Sequence, residues 1–401
     1  MKRVLGNSRK YKIRQPYTLH NRVEWIRSGR PYFNRLLELI DSAKHEIHIQ
    51  TYIFDSDSTG NLIADGLIRA AKRNVQVFLL VDAFGSKSLS SETIINFRNA
   101  GINFRKFGEL YSNGRFHIGR RLHHKISVFD GDISIVGGIN ISDNYNDTTE
   151  GKAWLDFAVI MYGNISRRLQ YICRRQWDGL RFSFNARKKL LKNIVHEHSM
   201  KGLSPVRIRR NDFILNKNDI AISYSDVFRR SKKSILLVGG YFLPGGRTRR
   251  LMRSAIKRGV KIEILVAEKS DVKVVVLARQ YLYAWLIRNG IDVYEFRPSN
   301  VHGKVIISDE VFTSIGSYDL NNLSTYSNIE LNVDINDENF ASKLASYIKE
   351  IMLKDCNKLD GENMYKNKSV LSKFSMWFSY RFVKTFFVLS VLLAGKREKK
   401  F

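Results

Sequence analysis

Cysteine is nearly absent: the 401 residues hold two, Cys173 and Cys356. That is too few and too scattered for a disulfide framework or a zinc knuckle, and reduced thiols suit a cytosolic face. Proline is as scarce, with five residues, and no Gly/Ser-rich tract occurs, which excludes a linker-dominated or collagenous chain. Acidic residues are in deficit, 38 against 67 Lys and Arg, for a formal charge of +29. That imbalance concerns partners rather than fold: nucleic acid, an anionic membrane surface or an anionic substrate. What is present is 44% hydrophobic residues, enough to bury a sizeable core, so wholesale disorder is excluded. At roughly 150 residues per domain the length predicts two to three units, or two large lobes.

The basic N-terminus, residues 1–15, has no apolar stretch behind it and does not read as a secretory signal. The C-terminus differs. Residues 376–394 read MWFSYRFVKTFFVLSVLLA and precede a basic run with Lys396, Arg397, Lys399 and Lys400. Nineteen helical residues would reach roughly 28 Å, near a bilayer core's thickness. Arg381 and Lys384 interrupt the run, so a helix lying in an anionic membrane interface is expected, with Trp377 and Tyr380 at headgroup level.

An internal repeat organises the rest. Residues 46–54 alternate like a strand, a helix-like pattern follows at 63–73, and 75–81 reads as a buried strand. A helix near 90–100 then leads into a strand at 102–107. The later half repeats the order: strand 234–242, helix 247–257, strand 260–266, helix 275–288, strand 291–296. This α/β pattern predicts two pseudo-symmetric lobes, each a mostly parallel or mixed sheet flanked by helices, plus the C-terminal membrane-associated helix. The expected segments are a basic 1–22, a first lobe 23–186, a basic connection 187–203, a second lobe 204–355 and a membrane-binding tail 356–401. The stretch 187–203 reads equally well as a solvated helix within one lobe.

Each series ends in the same spacing. His123-x-Lys125-x4-Asp130 is followed seven residues on by Gly137-Gly138 and then Asn140. His302-x-Lys304-x4-Asp309 is followed at the same distance by Gly316-Ser317 and then Asp319. On a strand, His and Lys two apart share a face, and the small residues permit close approach of backbone to a ligand. One copy arises by chance in roughly a few per cent of such chains; two copies closing equivalent series are far rarer.

The chemistry of this set suits a phosphodiester, whose anionic oxygens repel a nucleophile. Lys125 and Lys304 would neutralise that charge, and Asn140 and Ser317 would add neutral donors. One imidazole attacks phosphorus while the other protonates the departing alkoxide. Arg115, Arg120 and Arg121 precede the first motif as candidates to hold a lipid phosphate. Tyr52 and Tyr241 could line the cleft or pack in the core.

These residues resemble the paired HKD motifs of the phospholipase D superfamily. Arg120-Arg121-x-His123-x-Lys125 with Gly137-Gly138-Ile-Asn140 and Tyr145 is most similar to the first motif of bacterial cardiolipin synthases. Residues 315–317 and 328–333 resemble their second motif, and the likeness covers about 23–340. Asp319 departs from it, standing where the family has Asn, and Leu323-Ser324 replaces Arg-Ser. The resemblance implies His123 as nucleophile, His302 as acid and then base, and Asp156 and Glu330 as the acids that orient the imidazoles. It also implies structural roles for Asp130 and Asp309, and no metal or organic cofactor.

The expected activity is transfer of a phosphatidyl group through a phosphohistidine, from one phosphatidylglycerol to another, forming cardiolipin with release of glycerol. The expected place is the cytoplasmic face of the bacterial membrane. Hydrolysis of phospholipid, or of nucleic acid by the same residues, is the alternative. Nucleic acid is disfavoured, because no helix-turn-helix or RNP signature is present and the tail has no use in a soluble nuclease.

Overall fold

The computed structural model describes residues 16–109, 111–112, 115–116, 120–149, 151–178, 203–212, 215, 217–270, 272–321, 328–359 and 368–397. The first lobe runs β1 (Asn21–Arg27), α1 (Arg30–Ser42), β2 (Glu46–Thr51), α2 (Ser58–Lys72), β3 (Gln76–Asp82), α3 (Ser91–Asn99) and β4 (Asn103–Phe107). Three two-residue strands follow, β5 (Tyr111–Ser112), β6 (Arg115–Phe116) and β7 (Arg121–Leu122), then β8 (Lys125–Phe129), β9 (Ile133–Gly137), β10 (Phe157–Gly163) and α4 (Asn164–Asp178).

The second lobe begins with β11 (Val206–Asp212), β12 (Lys217–Asn218), α5 (Asp219–Arg230), β13 (Ser234–Gly239), α6 (Gly246–Lys257), β14 (Lys261–Ala267), α7 (Lys273–Arg288) and β15 (Ile291–Phe296). It continues with β16 (Lys304–Ser308), β17 (Phe312–Gly316), β18 (Asn328–Asn336), α8 (Glu338–Asp355), β19 (Cys356–Lys358) and α9 (Val370–Arg397).

The two sheets have one topology. The first is ordered β1-β10-β9-β8-β2-β3-β4, and the second contains the matching β11-β18-β17-β16-β13-β14-β15, with β12 and β19 on its edges. Within these two matching orders, parallel pairing is confined to β2·β3·β4 and β13·β14·β15, where helices provide the crossovers, while β7 of the first lobe pairs parallel with β18 of the second. The sheets are therefore mixed, the second of the two expected forms, with antiparallel pairs outnumbering parallel ones. Beyond each His-x-Lys strand the chain reverses through a tight turn, so β8·β9 and β16·β17 pair antiparallel.

Those turns explain the motif aspartates. Asp130 and Asp309 adopt left-handed backbone, φ 53° and 54°, which a short polar side chain tolerates. The Asp130 carboxylate accepts the N–H groups of Lys44, His45 and Glu46, and that of Asp309 accepts those of Lys232, Lys233 and Ser234. Each carboxylate ties its turn to the start of the neighbouring strand, β2 or β13.

Helix α2 starts at Ser58, earlier than the apolar periodicity indicates, because Asp57 caps it by accepting from the Gly60 N–H. Outer faces of the sheets pack under α1–α3 and α5–α7, while the largest cluster lies where the lobes meet. There Val128, Phe157 and Val159 face Val305, Leu331 and Val333. Strands buried on both faces read as continuous apolar runs.

The boundary expected at residue 356 falls inside the second sheet, because Cys356–Lys358 pairs with β15. Helix α9 is fastened to the same lobe: Tyr380 stacks on Tyr281 with ring centroids 4.9 Å apart, and Val383 is buried with Leu243 and Leu282. Among the described residues no helix is long and apolar enough to cross a membrane. Of the expected connection 187–203, all but residue 203 lies outside the described residues, as does most of 1–22.

Candidate active site

The two His-x-Lys segments meet where the sheets abut, and main-chain bonds cross between lobes to hold them. The N–H groups of His123 and His124 both reach the carbonyl of Ile329, at 3.0 Å. Symmetrically, the N–H groups of His302 and Gly303 reach the carbonyl of Leu155, at 2.8 and 3.0 Å. The residue after each acceptor carbonyl is an acid, and its side chain takes the neighbouring imidazole. Nδ1 of His123 lies 3.0 Å from the Glu330 carboxylate, and Nδ1 of His302 lies 2.7 Å from Asp156 Oδ2.

An ionised carboxylate only accepts, so beside the ionised acid each Nδ1 carries the proton and Nε2 the lone pair. Gly138 makes room for the first acid: a Cβ there would lie 2.6 Å from the Asp156 carboxylate oxygens. Its counterpart Ser317 donates its hydroxyl to Glu330 and accepts from the Leu331 N–H.

Both lysines are buried and fold back, Lys125 Nζ donating to the His123 carbonyl at 2.6 Å and Lys304 Nζ to that of His302. Tyr52 stands beside the first pair, its ring centroid 4.9 Å from that of His123 and 5.3 Å from Lys125 Nζ. Tyr241 mirrors it, 6.2 Å from His302 and 5.8 Å from Lys304 Nζ.

Burial, with Lys304 nearby, pushes the Lys125 ammonium down to about 7. Burial pushes the Asp156 carboxyl up to about 7, against the pull of Lys304 and Lys125. Burial and the two lysines hold His302 well below its usual value. Burial also pushes Glu330 up, but His123, Lys125 and the Ser317 hydroxyl outweigh it, and its carboxyl lies below the usual range.

The remaining predicted residues are placed as follows. Asn140 is committed internally: its amide donates to the Tyr145 hydroxyl at 2.7 Å and accepts from the Ile53 N–H at 3.1 Å. Asp319, at the matching position, forms an ion pair with Lys304 at 3.3 Å, so the second lysine has a counter-charge where the first lobe has a neutral amide. Gly137 and Gly316 end their strands, where a Cβ would strike Ala158 or the Leu331 carbonyl.

The arginines point away from a direct role. Arg120 pairs with Asp212 of the second lobe, and Arg121 donates to the Gly108 carbonyl at 2.7 Å. Arg115 lies in β6, and its side chain is outside the described portion.

Further residues complete the site. Tyr145, already part of the first motif, presents its ring edge-on to His302 at 5.1 Å, with Trp154 at 6.3 Å. Buried Asp82 accepts from the N–H groups of Leu122, Phe84 and Gly85 and faces Arg121, fixing the approach to His123. The signal for Asp82 was an acid closing an apolar strand before a glycine turn.

Comparison with known proteins follows the same lines. A family model described as cardiolipin synthase, PLD-like domain, matches residues 36–159 and 224–352. Cardiolipin synthase B of Escherichia coli is 29% identical over 344 residues, covering 85% of this chain and 82% of that protein. The major cardiolipin synthase of Bacillus subtilis is 29% identical over 339 residues, 84% of this chain and 70% of that one. Among solved structures, phosphatidylserine synthase of Haemophilus influenzae shares the fold, with a TM-score of 0.71 at 16% identity over 94% of this chain and 97% of that one.

Proposed function

The chain belongs to the cardiolipin synthase family of phospholipase D-like enzymes, and on that premise we propose that it transfers a phosphatidyl group from one phosphatidylglycerol to another. One observation carries the reading: two imidazoles, each with Nδ1 bound to a carboxylate of the opposite lobe, stand beside two buried lysines in one site.

Nε2 of His123 attacks phosphorus, the P–O bond to the glycerol headgroup breaks, and His302 delivers the proton that glycerol carries away. A hydroxyl of a second phosphatidylglycerol then gives its proton to His302 and attacks the phosphohistidine. The P–N bond breaks, cardiolipin leaves, and two phosphatidylglycerols have become cardiolipin and glycerol. Lys125 and Lys304 stabilise the charge-rich transition state. An arriving phosphodiester also supplies the negative charge that lets Lys125 and His302 hold protons.

The enzyme meets its lipid through α9, which lies on the bilayer surface. The face opposite Tyr380 and Val383 exposes Phe374, Phe378 and Phe382, and Lys373, Arg381 and Lys384 lie along the helix. Purified protein with phosphatidylglycerol vesicles should yield cardiolipin and free glycerol by mass spectrometry, both absent from His123→Ala. Phosphatidic acid alone would show that water takes the intermediate and would overturn transfer in favour of hydrolysis.

A further inference from the structure

A cavity of about 360 Å³ lies between α5, α6 and α9 and holds none of the four motif residues. Its lining is more apolar than polar: Ile222, Phe228, Leu243, Leu251, Leu320 and Val383 stand beside Tyr224, Tyr318, Tyr380, Ser225 and Thr248. Its cations, Arg229, Arg247 and Lys384, are exposed and so lie at the rim. The volume falls within the roughly 300–1,000 Å³ usual for ligand sites. A run of apolar side chains under a cationic mouth fits an amphipathic anion. Water or free phosphate would satisfy the rim and leave those side chains unmatched.

The cavity shares a wall with the catalytic site. Tyr241 lies over Lys304, and Leu243, two residues on, lines the cavity. Asp319 pairs with Lys304, while its neighbours Tyr318 and Leu320 face the cavity. The Leu243 N–H to Leu320 carbonyl bond, 3.3 Å, joins the two segments.

We propose that this cavity is a phospholipid site separate from the catalytic one, with an acyl chain inside and an anionic headgroup on Arg229, Arg247 and Lys384. Its occupant packs against α9 from within and buttresses the loops that carry Tyr241 and Asp319.

The test uses full-length His123→Ala protein, so that no lipid is consumed, with vesicles containing phosphatidylglycerol that bears a diazirine on one acyl chain. After irradiation and digestion, mass spectrometry is expected to find label on peptides holding Ile222, Phe228 and Leu251. Relative to label on residues 374–382, this should fall about fivefold in Arg247→Glu, which reverses one rim charge, and in Leu251→Trp, which fills the interior. Label confined to 374–382, label unchanged in Arg247→Glu, or equal labelling by a phosphatidylcholine analogue overturns the site. Labelling needs no turnover, so if His123→Ala labels here while the unsubstituted protein makes no cardiolipin, the proposed function is refuted and this site stands.

Discussion

Asp156 of the first lobe sits 2.7 Å from the imidazole of His302 in the second, 146 residues along the chain. With the reciprocal pair of Glu330 and His123, this makes each lobe the positioning partner of the other's histidine. Neither lobe alone holds a complete imidazole–carboxylate pair from this set, so the proposed active site exists only when the lobes are joined.

The crossed pairing has a direct kinetic signature. Asp156→Asn should lower phosphatidyl transfer about 10²–10⁴-fold, the range for losing an orienting carboxylate. Combined with His302→Ala it should add almost nothing, since the two act as a unit. Combined with Glu330→Gln, its effect should be closer to additive. Additivity of Asp156→Asn with His302→Ala would refute the pairing.

Division of labour between the imidazoles is separable by leaving group. A phosphatidyl ester of p-nitrophenol needs no proton on departure. His302→Ala should therefore release nitrophenolate in a single burst, while His123→Ala should release none. The opposite pattern would exchange the two roles.

The lowered ammonium of Lys125, about 7, sets a pH limit. The charged form lies below that value, so kcat/KM should fall as pH rises past about 7. Asp156, also near 7, ionises over the same interval and gives an acid limb, so the profile should be a narrow bell whose apparent values belong to the group as a whole. Bound phosphodiester holds the proton on Lys125, so the alkaline limb of kcat should lie above that of kcat/KM.

Stability at the second turn depends on Asp309, whose carboxyl is held below its ordinary 3.8 by the N–H groups of Lys232, Ser234 and Lys233 against the opposing cost of burial. A lowered folded value means the contribution is present above the unfolded value and is lost as pH falls through the folded one. Asp309→Ala should cost about 2 kcal/mol at pH 7, with the gap to wild type closing below pH 3.8. Urea unfolding at pH 7 and pH 3 measures both.

Much of this was legible along the chain. The strand–helix repeats, the paired His-x-Lys segments and the four residues at their centre are local patterns, and local periodicity reports which faces are buried. Less legible was the sense of the later strands. Their antiparallel pairing follows from turns at Asp130 and Asp309, where two successive residues, Asp130 and Gly131 or Asp309 and Glu310, take left-handed backbone.

The sequence by itself determined which groups are at hand: two imidazoles, two ammonium groups and carboxylates downstream of each. Tertiary structure alone decided the pairing, giving Asp156 to His302 and Glu330 to His123. It likewise committed Arg120 to Asp212 and set Asp319 against Lys304. The reason is physical. Side-chain type and strand phase are written residue by residue, but partners are chosen when two sheets bury a common apolar face and bring together side chains from opposite ends of the chain.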